Sequence, residues 1–317
     1  MKKDGLSEKD LALFVKSQVL AEGFSACGIA KASKLETIEP ILKNWLDQGF
    51  NGSMEYMGRN TEKRLDASKL VPGAKSVIVA AFNYYPAVKQ NPESNYRVSK
   101  YAYGTDYHYI IKEKLHIVAS KIKSLVPDLE YRVFTDSAPV LEREWAVRSG
   151  LGWIGKNGCI ILPQKGSFFF LGEIISNIDL EPDEPFNKNL CGKCNKCVEA
   201  CPTGAIVEPG VIDARKCTSY LTIELKNEIP KYFRDKTNQW IFGCDTCQDV
   251  CPHNRFCIET SEAGLNAKGP VKDFDDAKWE GLDEETFNQF FKKKSAIARV
   301  GFQKLKDNIL AVERSLK

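Results

Sequence analysis

The sequence predicts a mixed α/β (α+β) fold that carries an inserted, ferredoxin-like domain with two iron–sulfur clusters. The first part of the chain alternates apolar segments of strand length with segments of helical periodicity. Two blocks of closely spaced cysteines follow it. A proline-rich polar connector, "LEPDEPFNKN", separates the two parts and marks the clearest boundary.

A helix is predicted at the start of the chain. Ser7 can cap its N-terminus, and Gly23 is placed to end it. Its apolar residues recur at helical spacing: Leu11, Phe14, Val15 and Val19.

The next predicted elements alternate between strand and helix. Segments 76–85 and 129–136 are predicted to be buried strands, and residues 105–126 between them a helix, which is a βαβ-like alternation. Residues 157–177 predict two more strands joined by a Pro/Gly turn. Two helices are expected later in the chain, over 283–291 and 295–315.

These patterns divide the chain into three segments. Residues 1–182 are predicted to form the α/β domain, residues 183–258 the cysteine-rich domain, and residues 259–317 a helical segment. No apolar run approaches the ~20 residues that a membrane span needs, and the start "MKKDGLSEKDLALF" lacks a signal-peptide core. We therefore expect a cytoplasmic protein without membrane partners.

The net charge of +3 is too small to name a partner, whereas the 11 cysteines are informative. In a reducing compartment so many cysteines indicate metal or redox chemistry rather than a disulfide framework.

The first cysteine block has the C-x₂-C-x₂-C-x₃-C-P spacing of bacterial ferredoxins, in which the fourth cysteine binds the other cluster. The second block repeats the C-x₂-C-x₃-C-P ending, with its first ligand moved upstream. Cross-ligation then predicts one [4Fe–4S] cluster on Cys191, Cys194, Cys197 and Cys251, and a second on Cys201, Cys217, Cys244 and Cys247.

A pair of Cys₄ zinc sites is the alternative interpretation, because such sites also use C-x₂-C pairs. They do not require the third cysteine or the x₃-C-P ending in both blocks, so the pattern favours clusters. The remaining cysteines, Cys27, Cys159 and Cys257, are interpreted as small apolar core residues. Because a large α/β region precedes the clusters, we expect the ferredoxin-like part to deliver electrons to chemistry elsewhere.

Several longer segments resemble the epoxyqueuosine reductase family, over nearly the whole chain. They are "YMGRNTEKRLDASKLVPGAKSVIV", "YAYGTDYH", "TDSAPVLEREWAVRSGLGWIGKN", the two cysteine blocks and "SAIARVGFQKLKDN". The resemblance implies a cobalamin-binding α/β domain, related to that of reductive dehalogenases. It also implies reduction of epoxyqueuosine to queuosine at the wobble position of tRNA, with electrons supplied through the clusters to cobalamin.

The resemblance makes Asp136 the proton donor and a residue beside the cofactor. Asp136 ends an apolar strand, and an enclosed carboxyl can stay protonated near neutral pH. The alternative is that Asp136 or Ser137 only caps the following helix, with Pro139 near its first turn. Tyr107 resembles the family's second polar residue near the substrate, although it could equally be an aromatic residue on a helix face.

Other residues fall in family motifs that are associated with the corrin and its side chains: Arg59, Asn157, Ser219, Cys244 and Asp245. The D-x-H-x-x-G motif of many cobalamin enzymes is approached at Asp106-Tyr107-His108, but Ile111 replaces its glycine. This agrees with the family, whose cobalamin is held without a protein histidine below the cobalt. Cobalamin is thus implied by the resemblance alone.

The basic C-terminal segment fits a tRNA partner, because its cations could neutralise phosphates: Lys292, Lys293, Lys294, Arg299, Lys304 and Lys306. A solvated amphipathic helix is the alternative. Asp307 stands where the family often has a further basic residue, and a helical-repeat extension of some members is lacking.

Two other functions remain open. A reductive dehalogenase would be expected to carry a twin-arginine export signal, which the first residues do not contain. A bare electron-transfer module would leave Asp136 and the basic segment without a role. We therefore predict a monomeric tRNA-modifying reductase that is served by an external electron donor.

Overall fold

The structure is a computed structural model and describes residues 6–293 and 295–316. Its α-helices are α1 (Glu8–Ala21), α2 (Glu39–Asp47), α3 (Thr61–Leu65), α4 (Tyr107–Leu125), α5 (Glu142–Arg148), α6 (Lys196–Ala200), α7 (Thr218–Ile223), α8 (Lys231–Arg234), α9 (Thr246–Asp249), α10 (Pro270–Asp273), α11 (Asp276–Glu280), α12 (Glu284–Phe290) and α13 (Gly301–Leu316). Its strands are β1 (Ala26–Lys31), β2 (Ser76–Asn83), β3 (Arg97–Val98), β4 (Tyr131–Phe134), β5 (Trp153–Ile154), β6 (Ile160–Ile161), β7 (Phe169–Ser176), β8 (Ile206–Glu208), β9 (Val211–Ile212) and β10 (Trp240–Phe242).

A four-stranded sheet in the order β1-β2-β7-β4 forms the centre of the N-terminal part, and all its neighbouring strands are antiparallel. Strands β2 and β4 therefore run in the same direction, as the predicted βαβ alternation requires. They are not neighbours, however, because β7 lies between them. The first of the two strands predicted within 157–177 is β6, and it pairs with β5 instead of β7.

Helices cover both faces of this sheet. Helices α1 and α4 pack on one face, whereas α2, α3 and α5 lie on the other. Gly172 of β7 faces α4, where an added Cβ would lie 2.8 Å from side-chain atoms of Ile111 and Leu115. The glycine lets α4 approach the sheet closely, and α4 begins beside the candidate active site.

The predicted first helix is confirmed as α1. Ser7 caps it through a hydrogen bond from the Asp10 amide, and the Asp10 side chain completes a capping box. Leu11, Val15 and Val19 are buried against the sheet. Gly23 follows the helix with a φ of 87°, a conformation that favours glycine.

The C-terminal helices share a core with other parts of the chain. Residues of α12 and α13 pack with Phe242 of β10 and Val98 of β3, and these two strands pair in parallel. Asn308 of α13 is 1% exposed. Its amide donates to the carbonyls of Thr222 and Ile241, at 2.8 and 2.9 Å.

Helix α12 confirms the predicted helix over 283–291, whereas the helix predicted over 295–315 starts later. Residues Ala296–Val300 form a 3₁₀ turn, and Gly301, with a φ of 75°, separates the turn from the body of α13. Among the described helices, none is both long and apolar enough to cross a membrane.

Candidate active site

Asp136 lies in the loop that follows β4. Its φ of 51° is a left-handed conformation that few residues other than glycine, Asn and Asp adopt easily. Two contacts hold the loop: Thr135 Oγ1 donates to the Leu171 carbonyl at 2.7 Å, and the Asp136 amide donates to Glu142 Oε1 at 2.5 Å. The Asp136 side chain remains 46% exposed. It is therefore fixed in position and open to a ligand.

The capping alternative for Asp136 is wrong. Helix α5 starts at Glu142, its N-cap is Leu141, and no side chain caps it. The helix thus starts after Pro139, which was expected near its first turn, and Asp136 and Ser137 lie well before it. Asp136 is instead oriented by the carboxyl group of Glu142, whose Oε1 accepts its amide hydrogen.

His108 faces Asp136 from the start of α4. Its Nε2 lies 3.3 Å from Asp136 Oδ2, and its Nδ1 lies 2.7 Å from Oδ1 of Asp106, the N-cap of the helix. Burial alone would lower the pKa of His108, but its hydrogen bonds to the two carboxylates outweigh burial and raise the pKa to about 9. The imidazole is therefore protonated at neutral pH.

The expectation that enclosure keeps Asp136 protonated is wrong for this arrangement. The hydrogen bond from His108 lowers the pKa of Asp136, burial opposes this, and the Tyr107 hydroxyl lowers it further. Asp136 is thus a carboxylate at neutral pH, and the acidic proton of the pair resides on His108.

Tyr107 is buried beside this pair. Its ring stacks on Phe170 at a centroid distance of 4.0 Å and on His108 at 4.2 Å. The hydroxyl hydrogen-bonds to Asp136, and burial followed by the Asp136 charge raises the pKa of Tyr107 far above its ordinary value. Tyr107 therefore stays a neutral donor, and the structure brings together the two predicted catalytic residues.

Arg299 reaches the same carboxylate from the C-terminal segment. Its Nη1 lies 3.8 Å from Asp136 Oδ2, and its Nη2 lies 2.5 Å from Glu224 Oε1. The Tyr56 hydroxyl also hydrogen-bonds to Arg299. Arg299 was expected to bind tRNA phosphates, but the structure places its guanidinium at the candidate active site.

The cysteine thiols lie in two groups, and the assignment of each group to one cluster stays a prediction. Cys197 has Cys191 and Cys251 as neighbours, and the Cys194 amide donates to the Cys191 carbonyl at 3.0 Å. Thiols from both blocks also surround the second site: Cys201, Cys217, Cys244 and Cys247. Each group offers the four-cysteine donor set of a [4Fe–4S] cluster. Within residues 6–293 and 295–316, no three His, Cys, Asp or Glu side chains converge closely enough for a single metal ion.

Cys159, which was interpreted as a small apolar core residue, lies with its thiol beside that of Cys247. Other donors reach predicted ligands too: Trp153 Nε1 lies 3.4 Å from Cys191 Sγ, and the Ala205 amide lies 3.3 Å from Cys201 Sγ. Hydrogen bonds to cluster sulfurs are one of the factors that set cluster potentials.

Four of the residues predicted to contact the corrin lie near the second cysteine group. Asn157 Nδ2 donates to the Cys247 carbonyl at 3.5 Å, and Asp245 follows Cys244 directly. The buried Asp245 accepts a hydrogen bond from Ser99 and one from the Lys100 amide. Ser219 belongs to α7, whose Thr222 hydroxyl accepts from the amide of Gly243 at 3.0 Å. Arg59 is different: it is exposed and paired with Glu55.

An aromatic row connects these residues to Asp136. Tyr101 lies 6.2 Å from Tyr107 and 6.0 Å from Phe242, measured between ring centroids. Since Phe242 is two residues before Cys244, the carboxylate and the second cysteine group occupy the same region of the fold.

The lysines predicted to bind tRNA have unequal surroundings. Lys292 and Lys293 are exposed, whereas Lys294 lies outside the described residues. Lys304 donates to the Asn227 carbonyl at 3.0 Å, and Lys306 donates to the Glu280 and Leu282 carbonyls at 2.5 and 3.0 Å. Lys304 and Lys306 thus hold parts of their own chain together.

Sequence reasoning assigned no site role to His108, Glu142, Glu224 and Tyr56. His108 was considered only as part of a cobalt-binding motif. A histidine two residues after a helix-capping aspartate could have indicated a site residue, because the cap fixes the position of the imidazole. No local pattern shows that Glu224 and Tyr56 meet Arg299, since the three come from distant segments.

The chain is similar to known proteins over most of its length. Residues 190–254 match the family model "4Fe-4S double cluster binding domain", which confirms the predicted pair of clusters, and residues 64–137 match "Epoxyqueuosine reductase QueG, DUF1730". Epoxyqueuosine reductase of Cyclobacterium marinum is 48% identical over 296 residues, which cover 93% of this chain and 94% of that protein. The Escherichia coli enzyme is 40% identical over 310 residues, covering 96% and 81%.

Solved structures of epoxyqueuosine reductases have the same fold. One, crystallised with an epoxyqueuosine-modified tRNA-Tyr stem loop, has a TM-score of 0.88 and 30% identity, covering 96% of this chain and 81% of its own. The Bacillus subtilis enzyme, solved with its catalytic aspartate loop swung out of the active site, has a TM-score of 0.88 and 29% identity, covering 96% and 82%. The identity and coverage of these relatives show that the chain belongs to the epoxyqueuosine reductase family.

Proposed function

We propose that this chain reduces epoxyqueuosine to queuosine at the wobble position of tRNA. The observation that carries the proposal is 48% identity to an epoxyqueuosine reductase across 94% of that relative. The relative solved with a modified tRNA stem loop supports tRNA as the substrate. The protonated His108 beside Asp136 supplies a group suited to the proton transfer that the reaction needs.

The reaction removes the epoxide oxygen as water and leaves a carbon–carbon double bond, so it consumes two electrons and two protons. The clusters on the two cysteine groups would transfer the electrons one at a time. Cobalamin, when bound, would supply low-valent cobalt as the reductant at the substrate.

The residues near the second cysteine group fit a large cofactor with many amide side chains. Thr218 Oγ1 is buried there and has no hydrogen-bond partner among the described residues, so it could serve a polar group of the cofactor. With Ser219, Asn157, Cys244 and Asp245 it would hold cobalamin. Arg59, which is exposed, would contact an outer part of it.

The proton route starts at His108. Its Nε2 proton faces Asp136 Oδ2, and Asp136 would relay that proton to the departing oxygen. The Tyr107 hydroxyl orients the carboxylate through its hydrogen bond. The displaced catalytic aspartate loop of the Bacillus subtilis enzyme supports this role, because Asp136 also occupies a loop at the open side of its site.

Lys292, Lys293 and Lys294 would contact tRNA phosphates, and Arg299 would hold Asp136. We further propose a monomer in the cytoplasm, supplied by an external electron donor. Its three parts would be 1–182 for cobalamin and substrate, 183–258 for the clusters, and 259–317 for tRNA.

A reconstitution experiment tests the function. The protein, purified anaerobically and loaded with iron, sulfide and cobalamin, is reduced and incubated with an epoxyqueuosine-containing tRNA-Tyr stem loop. Nucleoside analysis by mass spectrometry should show queuosine with all cofactors present and none when cobalamin is omitted. Intact epoxyqueuosine after incubation with the fully loaded, reduced enzyme would refute the proposal.

A further inference from the structure

Glu173 is a carboxyl group in the middle of the central strand β7. Its side chain is 0% exposed, and neither carboxyl oxygen has a hydrogen-bond partner among the described residues. The residues paired with it on the two neighbouring strands are apolar, Val79 of β2 and Phe134 of β4. A buried and unpaired carboxyl is costly for folding, so its presence needs a cause other than stability.

Glu173 lies beneath the candidate active site. It is on the face of the sheet that α5 covers, because Leu171 and Ile175 on the same side of β7 belong to the core beneath that helix. The charges acting on it are those of Glu142 and Asp136. Glu142 is partly buried and in turn accepts the amide hydrogen of Asp136 at 2.5 Å.

The three carboxyl groups act on one another by charge, so ionisation of all three together is unfavourable. Asp136 is stabilised as an anion by His108, so the proton resides on the other two. Burial and the Asp136 charge raise the pKa of Glu142 to about 8, against the weaker lowering effects of the Asp136 amide, Arg143 and His108. Burial and the charges of Glu142 and Asp136 raise the pKa of Glu173 well above its ordinary value.

We propose that Glu142 and Glu173 form a carboxyl pair that stores a proton and delivers it through Asp136 as the second proton of the reduction. This inference rests on the proposed function. Two electrons arrive from the clusters, the two C–O bonds break, and the oxygen leaves as water. His108 provides the first proton and the carboxyl pair provides the second, so the reaction balances without a proton from solvent during turnover.

Infrared spectroscopy tests proton storage without turnover. Near neutral pH the wild-type protein should show a carboxylic-acid C=O band that shifts on ¹³C labelling of glutamate. Glu173→Gln should remove part of that band. An unchanged band would mean that Glu173 is ionised and would overturn the proposal. Because this measurement needs no substrate, it separates failure of the proton store from failure of the proposed function.

Single-turnover kinetics test proton delivery. In pre-reduced, cobalamin-loaded enzyme, Glu173→Gln and Glu142→Gln should each slow queuosine formation by about 10²-fold, the lower end of a typical general-acid effect. Glu142→Gln should also remove the decline of the wild-type rate as the pH rises through about 8. Glu144→Gln is the matched control, since Glu144 lies in the same helix and its pKa is also raised by burial, but Asp136 does not act on it. Its rate should equal that of wild type.

A different role for Glu173 would give a different result. If its carboxyl instead served a polar group of cobalamin, Glu173→Gln would weaken cobalamin binding in a spectroscopic titration. The loaded variant would then keep the wild-type rate and pH profile. That combination overturns the proposal, as does a wild-type rate with unchanged cofactor affinity.

Discussion

The imidazole of His108 lies between two carboxylates, with Nε2 3.3 Å from Asp136 Oδ2 and Nδ1 2.7 Å from Asp106 Oδ1. Asp106 is itself fixed, because it caps α4 and accepts the His108 amide at 3.0 Å. The ring is therefore oriented and charged by the start of the same helix that carries Tyr107. The pair His108–Asp136 is the proton source in the proposed reaction.

Asp136→Asn should fold, keep both clusters and bind cobalamin, yet form queuosine at least about 10²-fold more slowly in single turnover with pre-reduced enzyme. Asn tolerates the left-handed backbone at this position, so the loop should keep its shape. The carboxamide cannot relay a proton as the carboxylate does. Product formation at the wild-type rate would exclude Asp136 as the relay and make Tyr107 the next candidate.

His108→Gln should abolish the part of the alkaline rate decline that is centred near pH 9, which is separate from the decline near pH 8 that Glu142 causes. The His108 pKa is raised from 6.5 to about 9, so the proton is present below this range and is lost as the pH rises through about 9. The stability that the charged pair contributes is likewise complete below pH 6.5 and disappears through about pH 9.

Glutamine can still donate a hydrogen bond to Asp136, but it carries no ionisable proton. Single-turnover rates and thermal unfolding should be measured for both proteins across this pH range. A decline near pH 9 that persists in the variant would assign that titration to another group.

Anaerobic protein should contain about eight irons and eight sulfides per chain. Cys247→Ala should reduce the iron content by about half, because one cluster loses a ligand. Cys159→Ala is the matched control: its thiol contacts Cys247 but is not a predicted ligand, so the iron content should stay complete. Stoichiometric zinc, or equal iron loss in both variants, would contradict the ligand assignment.

Replacing Lys292 and Lys293 by alanine should weaken tRNA binding and reduce the slope of log affinity against log salt by roughly 1.5, as expected for the loss of two phosphate contacts. Lys304→Ala should leave that slope unchanged, because Lys304 bonds to the Asn227 carbonyl. Binding assays at several salt concentrations, with cluster content as a control for folding, decide the matter. Equal slopes for the double variant and wild type would make these lysines a solvated surface only.

Gly172→Ala should destabilise the protein by about 1–3 kcal/mol, the usual cost of overfilling a packed core. The added methyl group would lie 2.8 Å from Ile111 and Leu115 atoms, so α4 would have to move away from the sheet. Since α4 carries Tyr107 and His108, the rate of queuosine formation should fall as well. Denaturant unfolding measures the first effect, and unchanged stability would show that α4 can shift freely.

The fold was predictable where one local pattern decides the structure. Ser7 and Gly23 bound α1 as expected, because capping and a positive φ are local properties. The insertion of β7 between β2 and β4 was not predictable, since strand order depends on which apolar faces meet in three dimensions. The start of α5 was misplaced for a related reason. The capping alternative has Asp136 or Ser137 cap this helix, but the Asp136 amide donates to Glu142 inside α5.

The candidate site was predictable in part. Cysteine spacing predicted a pair of clusters, which the family match over residues 190–254 confirms, and the family resemblance indicated Asp136 and Tyr107. Arg299 was assigned by charge alone, and charge cannot distinguish a phosphate ligand from an ion pair with Glu224. Glu173 had a usable signal, a single acidic residue within the apolar strand "FFFLGEIIS".

The two hydrogen bonds of Asn308 can form only after the ribosome has made α13. The Asn308 side-chain amide donates to the carbonyls of Thr222, near Cys217, and of Ile241, near Cys244, and so links the two segments. Asn308 is nevertheless translated after every cysteine. While the ribosome is still making the middle of the chain, those segments lack the group that holds them together. We therefore expect the second cluster to reach its final geometry only after α13 has been translated. Chains truncated before that helix should lack iron at this site.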